Sequence, residues 1–134
     1  MPERVFPAEE NALPDVLAFT EEQLESAGCP MKLFMPLSVA IEEMFVNVAH
    51  YAYPGGSGEV RYSIEQDGNA VIFRLIDSGI PFDPLARPDP DTTLSAKERK
   101  IGGLGIFIMK KNMDEVHYER RNGENILTMT KRWA

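Results

Sequence analysis

The sequence predicts one α/β domain of the α+β kind, a two-layer sandwich whose mixed, largely antiparallel sheet carries its helices on one face. Three observations lead there. Helical periodicity dominates up to Pro54-Gly55-Gly56, the apolar period changes to two from Glu59, and Asp67-Gly68-Asn69 and Asn122-Gly123 each join two strand patterns as a tight hairpin. Hairpins impose antiparallel pairing, and helices packed on such a sheet lie most simply on a common face. A chain of 134 residues suits one domain, 1–134, with a single core.

Taken in order, Arg4-Val5-Phe6 is a short strand ended by Pro7. A first helix starts near Leu13-Pro14 with Asn11 placed as its N-cap, turns Val16, Leu17, Phe19 and Leu24 inward, and stops at Gly28. A second begins at Pro30 or at Pro36 and runs to about Tyr53. In it Leu37, Ile41, Met44, Phe45 and Val48 form one apolar stripe at about 100° per residue. Glu43, Asn47 and His50 fall together on the opposite side, flanked by Val39, Ala40 and Val46. A helix apolar nearly all round is buried, and polar groups on it need partners. Those partners are either other side chains or a polar ligand.

Beyond the glycines, Val60, Tyr62 and Ile64 alternate with Arg61, Ser63 and Glu65 in a half-buried strand. Residues 71–76 are more continuously apolar, as a central strand is, and lead into Asp77-Ser78-Gly79. The stretch 81–101 carries four prolines, many charges and no period, which marks a lid-like functional loop or a disordered segment. Gly102-Gly103-Leu104-Gly105 opens a third helix bearing Ile106, Phe107, Met109 and Met113. Residues 116–119 and 126–130 form the last hairpin.

Composition narrows the function. A net charge of −7 argues against nucleic acid as a partner, because a phosphate backbone demands a basic face. It leaves room for a single nucleotide, which needs only local donors and a metal. Cys29 is the one cysteine, so no internal disulfide forms and a reducing compartment is expected. Met1-Pro2-Glu3-Arg4 is polar and no apolar signal segment follows. The longest near-apolar run, 33–41, is too short to span a bilayer. A cytoplasmic protein without a membrane partner is the expectation.

Three constellations could carry chemistry. Asp77, at the end of a central strand and two residues before Gly79, is an acceptor on rigid backbone. It is suited to the 6-amino group of adenine, with Gly79 allowing a planar ligand to approach, or else it is a turn-initiating aspartate bonded to its own backbone. Gly103 and Gly105, at a helix start, expose backbone N–H groups to an anion or serve as a hinge. Lys97, Arg99 and Lys100 precede them, with Lys110 and Lys111 following. Asn47 offers a hard oxygen ligand for a phosphate-bound Mg²⁺, and Glu43, one turn earlier, could take a proton from an incoming hydroxyl. The alternative for this pair is a structural hydrogen-bond network. His50 shares the face of Glu43 and Asn47, whereas His117 alternates outward in a strand.

In order and spacing, Glu-x-x-x-Asn on a helix, Asp-x-Gly-x-Pro-Phe-Asp-Pro after a strand, a charged lid and Gly-Gly-x-Gly-Ile at a helix start resemble the GHKL (Bergerat-type) ATPase superfamily. The resemblance covers nearly the whole chain. Without the phosphoacceptor helices of a sensor histidine kinase, the sequence looks most like the stand-alone anti-sigma-factor serine kinases of bacterial stress and sporulation control. That resemblance implies ATP and Mg²⁺ as cofactors. It implies Glu43 as catalytic base, Asn47 as Mg²⁺ ligand, Asp77 holding the adenine amino group, Gly79 facing the adenine ring, and Gly103 and Gly105 wrapping the phosphates beneath the lid. The implied partners are an anti-sigma-factor antagonist, phosphorylated on serine, and a sigma factor, and relatives of this type are often homodimers. One departure stands out. Many relatives carry a histidine four positions after the asparagine and a tyrosine six after; here those positions hold Tyr51 and Tyr53, and the histidine is His50.

Two other readings stand beside the kinase. One is a non-catalytic, ATP-gated switch that sequesters a sigma factor or another regulatory partner. The other is a small α/β domain whose glycines and carboxylates are structural. Retention of Glu43 favours catalysis, since nucleotide binding alone requires no base.

Overall fold

Two turn sequences set the sheet. In the computed structural model, which describes residues 2–86 and 103–133, β2 (Glu59–Gln66) and β3 (Ala70–Asp77) close at Gly68 (φ 59°), and β4 (Glu115–Arg121) and β5 (Glu124–Arg132) close at Asn122 and Gly123 (φ 52° and 78°). Two successive residues with positive φ match the right-handed twist of the flanking strands. With β1 (Glu3–Pro7), the order is β1-β2-β3-β5-β4 and every neighbouring pair is antiparallel. The expected mixed or largely antiparallel sheet is therefore wholly antiparallel among the described residues.

Register puts the core on one face. Tyr62, Leu75, Leu127 and Tyr118 align across β2, β3, β5 and β4, and Ile64, Phe73, Met129 and Val116 form the next row. Against these rows pack three helices, α1 (Leu13–Ser26), α2 (Phe34–Tyr51) and α3 (Gly103–Asn112). Val16, Phe19, Leu37, Ile41, Phe45, Ile106 and Met109 join the sheet residues in one buried cluster.

Helix starts differ from the sequence expectation in detail. Asn11 makes no side-chain cap; it lies in a 3₁₀ turn, Glu10–Ala12, that feeds α1 directly. Neither Pro30 nor Pro36 begins α2. A 3₁₀ turn, Met31–Leu33, precedes it, and Pro36 sits in its first turn, where a backbone N–H has no intrahelical partner in any case. The helix stops at Tyr51, two residues short of Tyr53. Gly28 ends α1 with φ 73°, and the Cys29 N–H reaches back to the Leu24 carbonyl.

Together with its lead-in turn, α2 is long and apolar enough by composition to cross a bilayer, unlike the shorter run 33–41. Here that apolarity covers the sheet: Leu37, Ala40, Ile41, Met44 and Phe45 are all buried. The helix runs antiparallel to α3. Gly105 lies against Glu43 at one end, and Asn112 Nδ2 donates to the Pro36 carbonyl (2.9 Å) at the other.

Candidate functional site

The polar face of α2 and the ends of β3 and β5 meet around one small cavity. It measures about 30 Å³, with Met44, Val48, Leu75 and Leu127 as apolar walls and Asn47, Asp77 and Asn125 as its polar groups. Tyr51 and Phe82 also line it, their rings stacked at 6.0 Å with only 9° between planes. Phe82 follows directly from the Asp77-Ser78-Gly79 turn, so the segment that leaves β3 folds its aromatic ring over the cavity.

Asp77 is buried at the end of β3. Its Oδ1 accepts from the Gly79 N–H (2.9 Å) and from Asn125 Nδ2 (2.9 Å). The turn-initiating geometry and a cross-strand bond therefore coexist on one oxygen. Among the described residues Oδ2 takes no hydrogen bond. Asn125 stands opposite Asp77 in the β3–β5 register and is itself buried.

Gly79 has a structural reason to be glycine. A Cβ there would overlap the Ala52 carbonyl oxygen and stand 2.5 Å from Ala52 Cβ, because the chain crosses tightly over the end of α2. The Ile80 N–H bonds that same carbonyl (2.9 Å). Tyr53 seals the crossing from the other side, its hydroxyl donating to the Glu59 carbonyl (2.7 Å) and accepting from the Ser78 N–H (2.9 Å).

On α2, Asn47 is buried and its Nδ2 has no partner among the described residues. A buried amide left this way is costly unless something outside the chain satisfies it. Glu43, one turn earlier, is half-buried, and burial followed by repulsion from Glu42 raises its carboxyl above the usual range. A Cβ at Gly105 would collide with Glu43 Oε2 and come within 3.2 Å of its Cβ and Cδ, so α3 approaches closely enough to hold this carboxylate.

Asn47 and Asp77 thus share the cavity, while Glu43 and Gly105 touch beside it. Gly103 is the first residue of α3. The lid expected over 81–101 is described only through the 3₁₀ turn Pro84–Ala86; Lys97, Arg99, Lys100 and Gly102 lie outside the described residues. His50 turns away from the cavity to pair with Glu10, and His117 is exposed on β4.

Sequence reasoning gives no site role to Phe82, Tyr118 or Asn125, and marks Tyr51 only as standing where many relatives carry a histidine. For Asn125 a signal existed, since it continues the inward period of Leu127 and Met129 as a polar residue.

Among the described residues no group of three or more His, Cys, Asp or Glu could cage a metal. An Asn with one neighbouring Glu instead suits Mg²⁺, which keeps waters and phosphate oxygens as its other ligands. The Asn47 carboxamide oxygen would serve as one such ligand; its orphaned Nδ2 is a donor and binds no metal.

The family described as histidine kinase-like ATPase domain matches residues 6–131. The serine/threonine-protein kinase BtrW of Bordetella bronchiseptica is 28% identical over 104 residues, covering 77% of this chain and 73% of that protein. The serine-protein kinase RsbW of Bacillus pumilus is 32% identical over 104 residues, 71% of this chain and 62% of that one. Among solved structures, the one of the RsbU and RsbW domains of a Mycobacterium tuberculosis protein aligns with a TM-score of 0.62 at 21% identity, covering 98% of this chain but 32% of that one. That likeness shows the fold.

Proposed function

Because the chain belongs to the histidine kinase-like ATPase domain family, we propose that it is an ATP-dependent protein-serine kinase of the RsbW type. In this reading it binds Mg-ATP and phosphorylates a serine of an anti-sigma-factor antagonist, and it acts in the cytoplasm as the anti-sigma factor of a sigma factor. A homodimer belongs to the same reading. The observation that carries it is the shared cavity of Asn47 and Asp77, in which, among the described residues, Asn47 Nδ2 has no partner and the bonds to Asp77 all fall on Oδ1. Relatives at 28% and 32% identity named as serine kinases support the activity.

Each residue then has one task. Asp77 Oδ2 accepts from the adenine 6-amino group between the apolar walls, and Gly79 keeps the approach to the base open. Asn47 would hold Mg²⁺ by its carboxamide oxygen; the ion, when bound, neutralises phosphate charge. Gly103 and Gly105 bring the start of α3, with its backbone N–H groups, to the phosphates. Glu43 takes the proton of the serine hydroxyl at its carboxylate as the serine oxygen bonds to the γ-phosphorus and the bond to the ADP oxygen breaks. A base whose affinity for a proton is raised by burial is better matched to that transfer.

Incubation with γ-labelled ATP and the antagonist protein tests the proposal. The native protein should yield phosphoserine. Glu43→Ala should slow transfer by roughly 10²- to 10⁴-fold while Mg-ATP affinity is kept. No transfer by the native protein, with ATP still bound, would leave the ATP-gated switch as the function.

A further inference from the structure

We infer that Asn125 is the positioning residue that gives the site its preference for a 6-amino over a 6-oxo purine, acting through Asp77 and not by touching the base. The inference rests on the nucleotide reading above.

The carboxamide of Asn125 is saturated by the protein. Its Nδ2 donates to Asp77 Oδ1 (2.9 Å) and to the Ile80 carbonyl (2.8 Å), and its Oδ1 accepts from the Phe82 N–H (3.3 Å) and the Tyr118 hydroxyl (2.5 Å). Two acceptors face one end and two donors the other, so the amide has one sensible orientation. Its two donors and both lone-pair directions are used, which leaves nothing for a ligand.

The effect on Asp77 is directional. An ionised carboxylate is an acceptor at both oxygens, but one free to rotate presents neither of them at a fixed place. Here the Gly79 N–H and Asn125 Nδ2 both claim Oδ1, which fixes Oδ2 as the oxygen left for a ligand. An acceptor held in this way bonds an exocyclic amine and repels a carbonyl at the same place, and discrimination of that type is strong in a buried site. The same side chain ties down the backbone at Ile80 and Phe82, so the turn that carries the Phe82 ring over the cavity is held to the same point.

Calorimetric titration with Mg-ATP and Mg-ITP, which differ at the 6-position, reads this directly. Native protein should prefer ATP. Asn125→Leu keeps the branched shape and removes all four bonds; it should weaken ATP binding roughly tenfold or more and change ITP binding much less, so the preference collapses. Tyr118→Phe removes one bond to Asn125 and should narrow the preference a few-fold at unchanged fold content by circular dichroism; it decides the matter if Asn125→Leu does not fold. A purely structural role for Asn125 would lower both affinities in parallel, and a native ATP/ITP ratio in both variants, or in Tyr118→Phe alone where the other is unfolded, overturns the inference. Native protein that binds neither nucleotide overturns the nucleotide reading and this inference with it.

Discussion

Glu43 sits where its own charge is disfavoured, first by burial and then by the neighbouring Glu42. Burial, and then Glu42, raise its carboxyl above the ordinary carboxylate value. The folded state therefore holds a proton that the unfolded chain releases, and stability falls as pH rises from that value through the raised one. Glu43→Gln removes the charge and should raise the melting temperature modestly at pH 7, with the gain vanishing below the ordinary carboxylate range while phosphotransfer is lost. Melting curves of both proteins from pH 4 to 8 check this; a gain that is constant with pH would contradict it. Two glycines make a useful contrast at the same scale. A Cβ at Gly79 meets backbone, so Gly79→Ala should destabilise the fold by about 1–3 kcal/mol in denaturant titration. A Cβ at Gly105 meets chiefly the mobile end of Glu43, so Gly105→Ala should spare stability and cut phosphotransfer by moving the carboxylate.

At the scale of elements, the pair α2 and α3 frames the chemistry. Their antiparallel contact is set at one end by Gly105 against Glu43 and at the other by the Asn112–Pro36 bond. The first turn of α2 leaves N–H groups to be satisfied from outside, Pro36 removes one such donor, and Asn112 adds a bond to the Pro36 carbonyl. Asn112→Ala should cost about 1 kcal/mol in chemical denaturation, the worth of one part-buried hydrogen bond, with little change in nucleotide affinity. A loss of affinity larger than the loss of stability would show that the C-terminal end of α3 also sets the phosphate site. The hairpins were legible from sequence because their turn residues have one physical use: Asn122 and Gly123 both adopt positive φ. The start of α2 was not, because Pro30 and Pro36 both fit near a helix N-terminus and the 3₁₀ turn between them leaves no distinct signature.

At the scale of the whole molecule, a five-stranded sheet with helices on one face brings residues from α2, β3, β4 and β5 to a single cavity. Glu43, Asn47, Asp77 and Gly105 each belong to a motif local in the chain, and their roles are implied by the order of those motifs and its resemblance to a known family; the fold brings Asn47 and Asp77 to one cavity and Gly105 against Glu43. For Asn125 the inward period marks a buried polar residue but not its partners, Asp77 and Ile80, which lie more than forty positions away, and Tyr118 is brought to it only by cross-strand register. Gly79 shows the opposite limit: its spacing suggests approach by a ligand, and the crossing over Ala52 already demands glycine. The central claim is that an adenine nucleotide binds between Asn47 and Asp77. Titration calorimetry of the native protein with Mg-ATP and Mg-GTP tests it most directly. One ATP per chain, with GTP roughly 100-fold weaker and the ATP signal strongly reduced by Asp77→Asn, is the result predicted; no heat with ATP, or equal affinity for the two nucleotides, would contradict it.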